Sequence, residues 1–250
     1  MTKEIIDWIP KNDRYTKKGE IDLWQKVYKQ KLNQKNFEGR KDRLNHLKNK
    51  EISGKVLDIG CGNGYSSIWI SKNKNVEMVH SMECNISGVH LISDNYKRNN
   101  IDEDKYELIL GSFNDIRNHN YYDFIISMGA IHHSNNLLVT MKSIYDALKP
   151  NGIFIAHEPV MPDQTPNSFY IDKLEKSKKV QGIVDIKEKD RSDNFFRRCE
   201  YLTSFYHNGF DVEFEKIDDC NSVENYIFTL TKPQNDIKKL LNTWHDKEQL

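Results

Sequence analysis

The segment Val56-Leu57-Asp58-Ile59-Gly60-Cys61-Gly62-Asn63-Gly64-Tyr65 constrains this chain more than any other: a short apolar strand runs into a glycine-rich turn that opens a helix. Glycines there allow positive φ and let a ligand lie against main-chain N–H groups. The spacing narrows the choice of ligand. A dinucleotide fingerprint, G-x-G-x-x-G, needs glycine at position 65, where this chain has tyrosine, and no Gly-Lys-Ser/Thr follows to build a phosphate-binding loop. A nicotinamide cofactor is therefore only the runner-up occupant of the turn.

From residue 54 onward, short apolar runs alternate with helical stretches, the pattern of βα units around a mainly parallel sheet. Strands are predicted at 55–58, 76–82, 106–110, 123–128 and 153–157, with helices at 65–72, 86–99 and 136–148. Lys149-Pro150-Asn151-Gly152 stops the last of these helices. Residues 161–193 are polar and loop-like, 200–208 read as a helix, and 210–217 with 223–231 read as an antiparallel hairpin at the sheet edge. The predicted organisation is α/β, a doubly wound Rossmann-like domain over 54–234 with a substrate or lid insertion at 161–200. A helical cap precedes it at 1–53 and a terminal helix follows at 235–250. Within the cap, Leu23, Trp24, Val27, Tyr28 and Leu32 recur at helical spacing between lysines. With Trp8 and Tyr15 the cap is expected to fold over the cofactor mouth, so deleting residues 1–30 is expected to impair turnover more than melting temperature.

Composition removes several function classes. Lysine plus arginine (37) equals aspartate plus glutamate (37), so no summed field draws the chain to nucleic acid or to an anionic membrane. The basic excess is local, with 14 Lys and Arg against 7 Asp and Glu in residues 1–50. No apolar run approaches the roughly 18 residues that cross a bilayer, and the amino terminus has no apolar leader. The four cysteines, Cys61, Cys84, Cys199 and Cys220, form no C-x-x-C pair, which argues against zinc and against a disulfide framework. A cytoplasmic protein, monomer or homodimer, without metal, is the expectation.

The glycine segment resembles the first motif of class I S-adenosylmethionine-dependent methyltransferases, and later landmarks keep the family's order. Glu83 ends the second strand, Tyr122-Asp123-Phe124-Ile125-Ile126 resembles the fourth, and Leu148-Lys149-Pro150-Asn151-Gly152 resembles the family's Leu-Lys-Pro-Gly-Gly turn. The resemblance implies a seven-stranded sheet of order 3-2-1-4-5-7-6 with strand seven antiparallel. It also implies S-adenosyl-L-methionine as cofactor and S-adenosyl-L-homocysteine as product. Carried over residue by residue, it gives Asp58 to the methionine ammonium and the Gly60, Cys61, Gly62 and Gly64 backbone to close approach. Glu83, with Cys84 beside it, goes to the ribose hydroxyls, for which a carboxylate offers two acceptors at the spacing of a vicinal diol. Ser112 stands where the family usually has an aspartate for the adenine amino group, so Asn114 or Asp115 are substitutes; Phe113 flanks the ring or packs in the core, and Met128 lines the same pocket.

After the fourth strand come His132 and His133, at the edge where open α/β sheets bind ligands. An unperturbed histidine, with a pKa of about 6.5, is neutral at physiological pH and can serve as a base. Catalytic base and structural histidine both stand as readings, and sequence does not separate the two residues. Substrate candidates are Tyr15, His157 and Glu158 after the fifth strand, and Arg197 from a cluster at 191–201 whose guanidinium forks suit phosphate or carboxylate. Ser127-Met128-Gly129-Ala130 replaces the Asp/Asn-Pro-Pro-Tyr/Phe loop of amino-methylating enzymes for adenine or glutamine, and no cysteine follows a proline, as in cytosine carbon-5 enzymes. A weak resemblance to methyltransferases of polysaccharide or secondary-metabolite pathways points to O-methylation of a small sugar-like or phosphate-bearing molecule, as in capsule or other carbohydrate biosynthesis. Small-molecule N-methylation and an inactive cofactor-binding regulatory module are the alternatives.

Overall fold

The computed structural model describes residues 3–9, 41–134, 136–166, 196–220 and 223–234. Eight strands form one sheet: β1 (Ile5–Asp7), β2 (Gly54–Ile59), β3 (Val76–Glu83), β4 (Tyr106–Leu110), β5 (Tyr122–Met128), β6 (Leu148–Val160), β7 (Asp211–Cys220) and β8 (Val223–Thr231). Their order is β1-β4-β3-β2-β5-β6-β8-β7. Strands β1 to β6 run parallel, while β8 is antiparallel to both β6 and β7. Counted from β2, this is the expected 3-2-1-4-5-7-6 order, with one strand added.

The added strand corrects the expectation of an all-helical cap. Ile5, Ile6 and Asp7 pair with Leu108, Ile109 and Leu110 on the outer edge of β4. Without β1, that edge would present unpaired backbone groups, and β-branched isoleucines suit the pleated surface. Trp8 then turns into the main core, with its N–H donating to the Leu110 carbonyl (2.8 Å). Residues 10–40, which contain Tyr15 and the apolar stripe from Leu23 to Leu32, lie outside the described residues, as do residues 191–195 of the 191–201 cluster and the terminal helix expected at 235–250.

Helices α1 (Lys41–Lys48), α2 (Tyr65–Ser71) and α3 (Ile86–Arg98) cover one face of the sheet, and α4 (Leu137–Ala147) and α5 (Arg198–His207) cover the other. The two-residue period of a strand sorts the side chains between the faces. Leu57, Ile59, Ile125, Phe154 and Phe228 join the core under α4 and α5, whereas Val56, Ile126, Ile155 and Ile227 join the core under α1 and α2. Each fully buried aliphatic or aromatic side chain contributes roughly 1.5–3 kcal/mol. With the sheet sealed on both faces, its strand ends remain the place for chemistry.

Helix α4 ends one residue before its predicted limit, because Leu148 already pairs with Tyr122. Asn151 takes the left-handed conformation (φ 63°) in the turn that follows. Among the described residues, no helix is long and apolar enough to cross a membrane.

Candidate functional site

Gly60, Gly62 and Gly64, between β2 and α2, all adopt positive φ (60°, 60° and 77°). They differ in what surrounds them. A Cβ on Gly60 would lie 2.4 Å from Ala130 Cβ, so the glycine turn packs directly on the loop that follows β5. A Cβ on Gly62 would meet nothing within 4 Å, which leaves open space beside that backbone. Cys61 turns the other way: both its amide and its thiol engage the Met82 carbonyl (3.2 and 3.3 Å), and its side chain joins the core under α3.

Two acids flank the turn. Asp58, on β2, is fully buried; its Oδ2 accepts from the hydroxyls of Ser66 and Ser67, both at 2.6 Å. Among the described residues its Oδ1 has no hydrogen-bond partner. Burial pushes the carboxyl up to about 6, against the pull of the two serine hydroxyls. Glu83, at the end of β3, accepts from the Gly62 amide at Oε2 (3.1 Å) and from the Cys84 amide at Oε1 (3.0 Å), with the Cys84 thiol at 3.3 Å. Burial raises its pKa also. Because Asn85 caps α3 by accepting from the Ser87 amide, the chain turns into a helix immediately after Glu83 and leaves that carboxylate at the strand end.

Gly111 donates to the Glu83 carbonyl (3.0 Å), bringing the end of β4 alongside the end of β3. Ser112 is half-buried there, and its hydroxyl accepts from the Asn114 amide (3.2 Å). The two substitute acceptors are engaged within the fold. Asn114 accepts from the Thr140 hydroxyl, and Asp115 pairs with Arg117 at 3.4 Å. Phe113 packs against the main core.

On the other side of the turn, Met128 is buried in the core under α1 and α2, in register with His157 on β6. Neighbours on a strand point to opposite faces, so the substrate candidates His157 and Glu158 part company. His157 stacks on His46 of α1, with centroids 6.4 Å apart. Glu158 instead reaches the loop after β5, accepting from the amides of Ala130 (2.9 Å), Ile131 (3.0 Å) and His132 (3.3 Å), from the Ser127 hydroxyl (3.0 Å) and from His132 Nδ1 (2.8 Å). The rings of His132 and His133 lie 4.1 Å apart at the short 3-10 turn Ile131–His133. Arg197 donates to the Thr165 carbonyl (3.0 and 3.3 Å) and Arg198 to Asp163 (2.8 Å), tying the chain before the 167–195 stretch to the chain after it.

The structure thus brings Asp58, Gly60, Gly62, Gly64, Glu83, Cys84, Ser112 and the His132–His133 pair to one edge of the sheet. Sequence reasoning missed Ser66 and Ser67, although hydroxyls in the first turn after a glycine loop were a visible signal, and it missed Ser127. An orphaned, fully buried carboxylate oxygen suits a cationic ammonium, Glu83 offers two oxygens at a strand end, and the space beside Gly62 admits a ligand against bare backbone. The donors and acceptors present fit an amino acid joined to a nucleoside.

Residues 28–213 match the family described as methyltransferase domain. A malonyl-[acyl-carrier protein] O-methyltransferase of Priestia megaterium is 30% identical over 104 residues, 42% of this chain and 35% of that protein. A sarcosine/dimethylglycine N-methyltransferase of Aphanothece halophytica is 29% identical over 125 residues, 48% of this chain and 43% of that protein. The chain spans between a third and a half of the length of these curated relatives. Among solved structures, a putative sarcosine dimethylglycine methyltransferase from Galdieria sulphuraria superposes with TM-score 0.62 at 16% identity, covering 80% of this chain and 86% of that one. A geranyl diphosphate methyltransferase in complex with SAM gives 0.62 at 11% identity, covering 88% and 93%. At such identities the likeness is one of fold.

Proposed function

Since the chain belongs to the methyltransferase domain family and is a class I S-adenosylmethionine-dependent member of it, we propose that it methylates a hydroxyl of a small polar, sugar-like molecule, in cell-surface polysaccharide or secondary-metabolite assembly. The observation that carries this reading is the pair of imidazoles, His132 and His133, on the loop that packs against the glycine turn at Gly60. Methyl transfer to a hydroxyl needs alignment and a proton acceptor, and the loop supplies both beside the cofactor edge.

S-adenosylmethionine, when bound, supplies an electrophilic methyl carbon on a sulfonium. Asp58 Oδ1 would hold its ammonium end and Glu83 its ribose hydroxyls, with the Gly62 backbone against the body of the ligand. Arg197 and Arg198 donate to Thr165 and Asp163, which favours the uncharged, sugar-like half of the expected acceptors over a phosphate-bearing one. The likeness to a sarcosine/dimethylglycine N-methyltransferase supports a small amine as the second acceptor class.

The test is release of S-adenosylhomocysteine in the presence of nucleotide sugars, free glycosides, phosphorylated metabolites and small amines. Turnover confined to aromatic or lipid acceptors would discard the proposal. Tight cofactor binding with no turnover on any acceptor would instead favour a regulatory binding module.

A further inference from the structure

We propose that Glu158 is a positioning residue for this reaction, and that it selects His132 as the proton acceptor by fixing which of its ring nitrogens carries hydrogen. The inference rests on the methyltransferase reading above and deepens it. Glu158 has no exposed surface and no water-facing atom to share its charge. Among the described residues, every group that hydrogen-bonds its carboxylate is a donor or can act as one: three consecutive amides, those of Ala130, Ile131 and His132, the Ser127 hydroxyl, and His132 Nδ1.

A protonated carboxyl would need an acceptor for its hydrogen; the three amides cannot provide one, and the Ser127 hydroxyl or His132 Nδ1 could do so only by giving up the bond it donates. The ionised form is the one the surroundings complete. Burial alone would raise the carboxyl's pKa, yet the bond from His132 and those from the Ile131 and Ala130 amides hold it below the ordinary glutamate range. An ionised carboxylate only accepts, so at 2.8 Å the hydrogen between the two groups belongs to His132 Nδ1. In the neutral ring the lone pair then sits on Nε2, the atom a substrate hydroxyl would have to reach.

One carboxylate therefore does two things. It pins the backbone of the 3-10 turn, and through Ala130 it sets that turn against Gly60, next to the cofactor. It also orients one imidazole of the adjacent pair. His132 is 26 residues from Glu158 in sequence, and the pairing of Met128 with His157 is what sets the two side by side.

Glu158→Gln is the informative change. The glutamine oxygen, in the place of Oε1, still accepts from the Ala130 and Ile131 amides and the Ser127 hydroxyl, but its NH2 group replaces Oε2, so the His132 amide loses its acceptor and His132 Nδ1 must become an acceptor and pass its hydrogen to Nε2. Long-range nitrogen–proton NMR on the full chain, with the His132 signals assigned through a His132→Asn variant, reads the tautomer directly. We expect an Nδ1–H ring in the wild type and an Nε2–H ring in Glu158→Gln. On whichever acceptor the panel identifies, Glu158→Gln should lower kcat at least tenfold with the dissociation constant for S-adenosylhomocysteine changed less than threefold, and His132→Asn should lose more rate than His133→Asn. A wild-type His132 carrying its hydrogen on Nε2, or a tautomer indifferent to Glu158→Gln, overturns the assignment while leaving cofactor binding intact. Failure to bind S-adenosylhomocysteine, with both tautomers as expected, overturns the methyltransferase reading instead.

Discussion

Asp58 keeps a carboxylate where water cannot reach it, and the sign of its pKa shift makes a testable statement about binding. Its pKa in the fold, about 6, stands above the ordinary aspartate value of 3.8. The stability it contributes is therefore fully present below about pH 4 and is lost as pH rises through 6. Asp58→Asn, whose side-chain oxygen can still accept from Ser66 and Ser67, should gain melting temperature relative to the wild type as pH is raised from 5 to 7 in the ligand-free protein. Binding should run oppositely. An ammonium ligand pairs with the ionised form, so affinity for S-adenosylhomocysteine should rise several-fold between pH 5 and 7 and level off above, and calorimetry should find that dependence flattened in Asp58→Asn. A wild-type profile as flat as the variant's would detach Asp58 from the ligand. Glu83 makes a plainer case: charge-assisted hydrogen bonds are worth about 1.5–3 kcal/mol, so Glu83→Ala should weaken binding roughly 10- to 100-fold in the same titration. Both acids are legible in the sequence because each stands at or next to the end of a strand, at a fixed place in a motif. The Ser66 and Ser67 hydroxyls that hold Asp58 are less so, since serines in a first helical turn more often serve the backbone.

At the scale of the element, the glycine turn separates packing from ligand binding within three residues. Gly60 and Gly62 share a φ of 60°, so an added Cβ costs either of them roughly 1–2 kcal/mol. Only at Gly60 does that Cβ collide, at 2.4 Å from Ala130 Cβ, where overpacking adds about 1–3 kcal/mol. Gly60→Ala should therefore melt well below Gly62→Ala, by roughly 5 °C or more at a few degrees per kcal/mol. Gly62→Ala should show the opposite balance, a small loss in melting and a drop of at least tenfold in S-adenosylhomocysteine affinity. If Gly62→Ala bound normally, the open space beside Gly62 would not belong to the cofactor. Elements with a period were readable: β2 to β6 and α2 to α4 announce themselves by alternation and by helical spacing. The brace between Glu158 and the 130–132 turn was not, because it depends on strand register, which no local pattern records.

For the molecule as a whole, the amino-terminal segment matters in a way that its sequence conceals. Three residues of strand carry no readable period, so Ile5–Asp7 passes for the start of a cap, yet it adds a strand to the sheet and delivers Trp8 into the core that also holds Met82, Ile109 and Ile116. Arg117 donates to the Trp8 carbonyl and Trp8 itself to that of Leu110, so the segment is bound through backbone as well as side chain. The parallel pairing of β1 with β4 also places Trp8 toward the same sheet edge that carries Glu83 and Ser112. Burial of Trp8, at 8% exposure, adds a stability cost to the loss of turnover expected from deleting residues 1–30. Truncating a buried aromatic typically costs about 3–5 kcal/mol, which in a chain of this size is on the order of 10 °C. Trp8→Ala should fall by that amount in a thermal melt, and deletion of residues 1–9 by at least as much, because it also uncovers the edge of β4. The same variants, assayed below their lowered transition, should retain most of their affinity for S-adenosylhomocysteine, since Asp58, Glu83 and the glycine turn are built from residues 54–85. A deletion that melts like the wild type would show that β1 contributes nothing to the sheet's stability; one that folds well but loses binding would move the segment from the scaffold into the site.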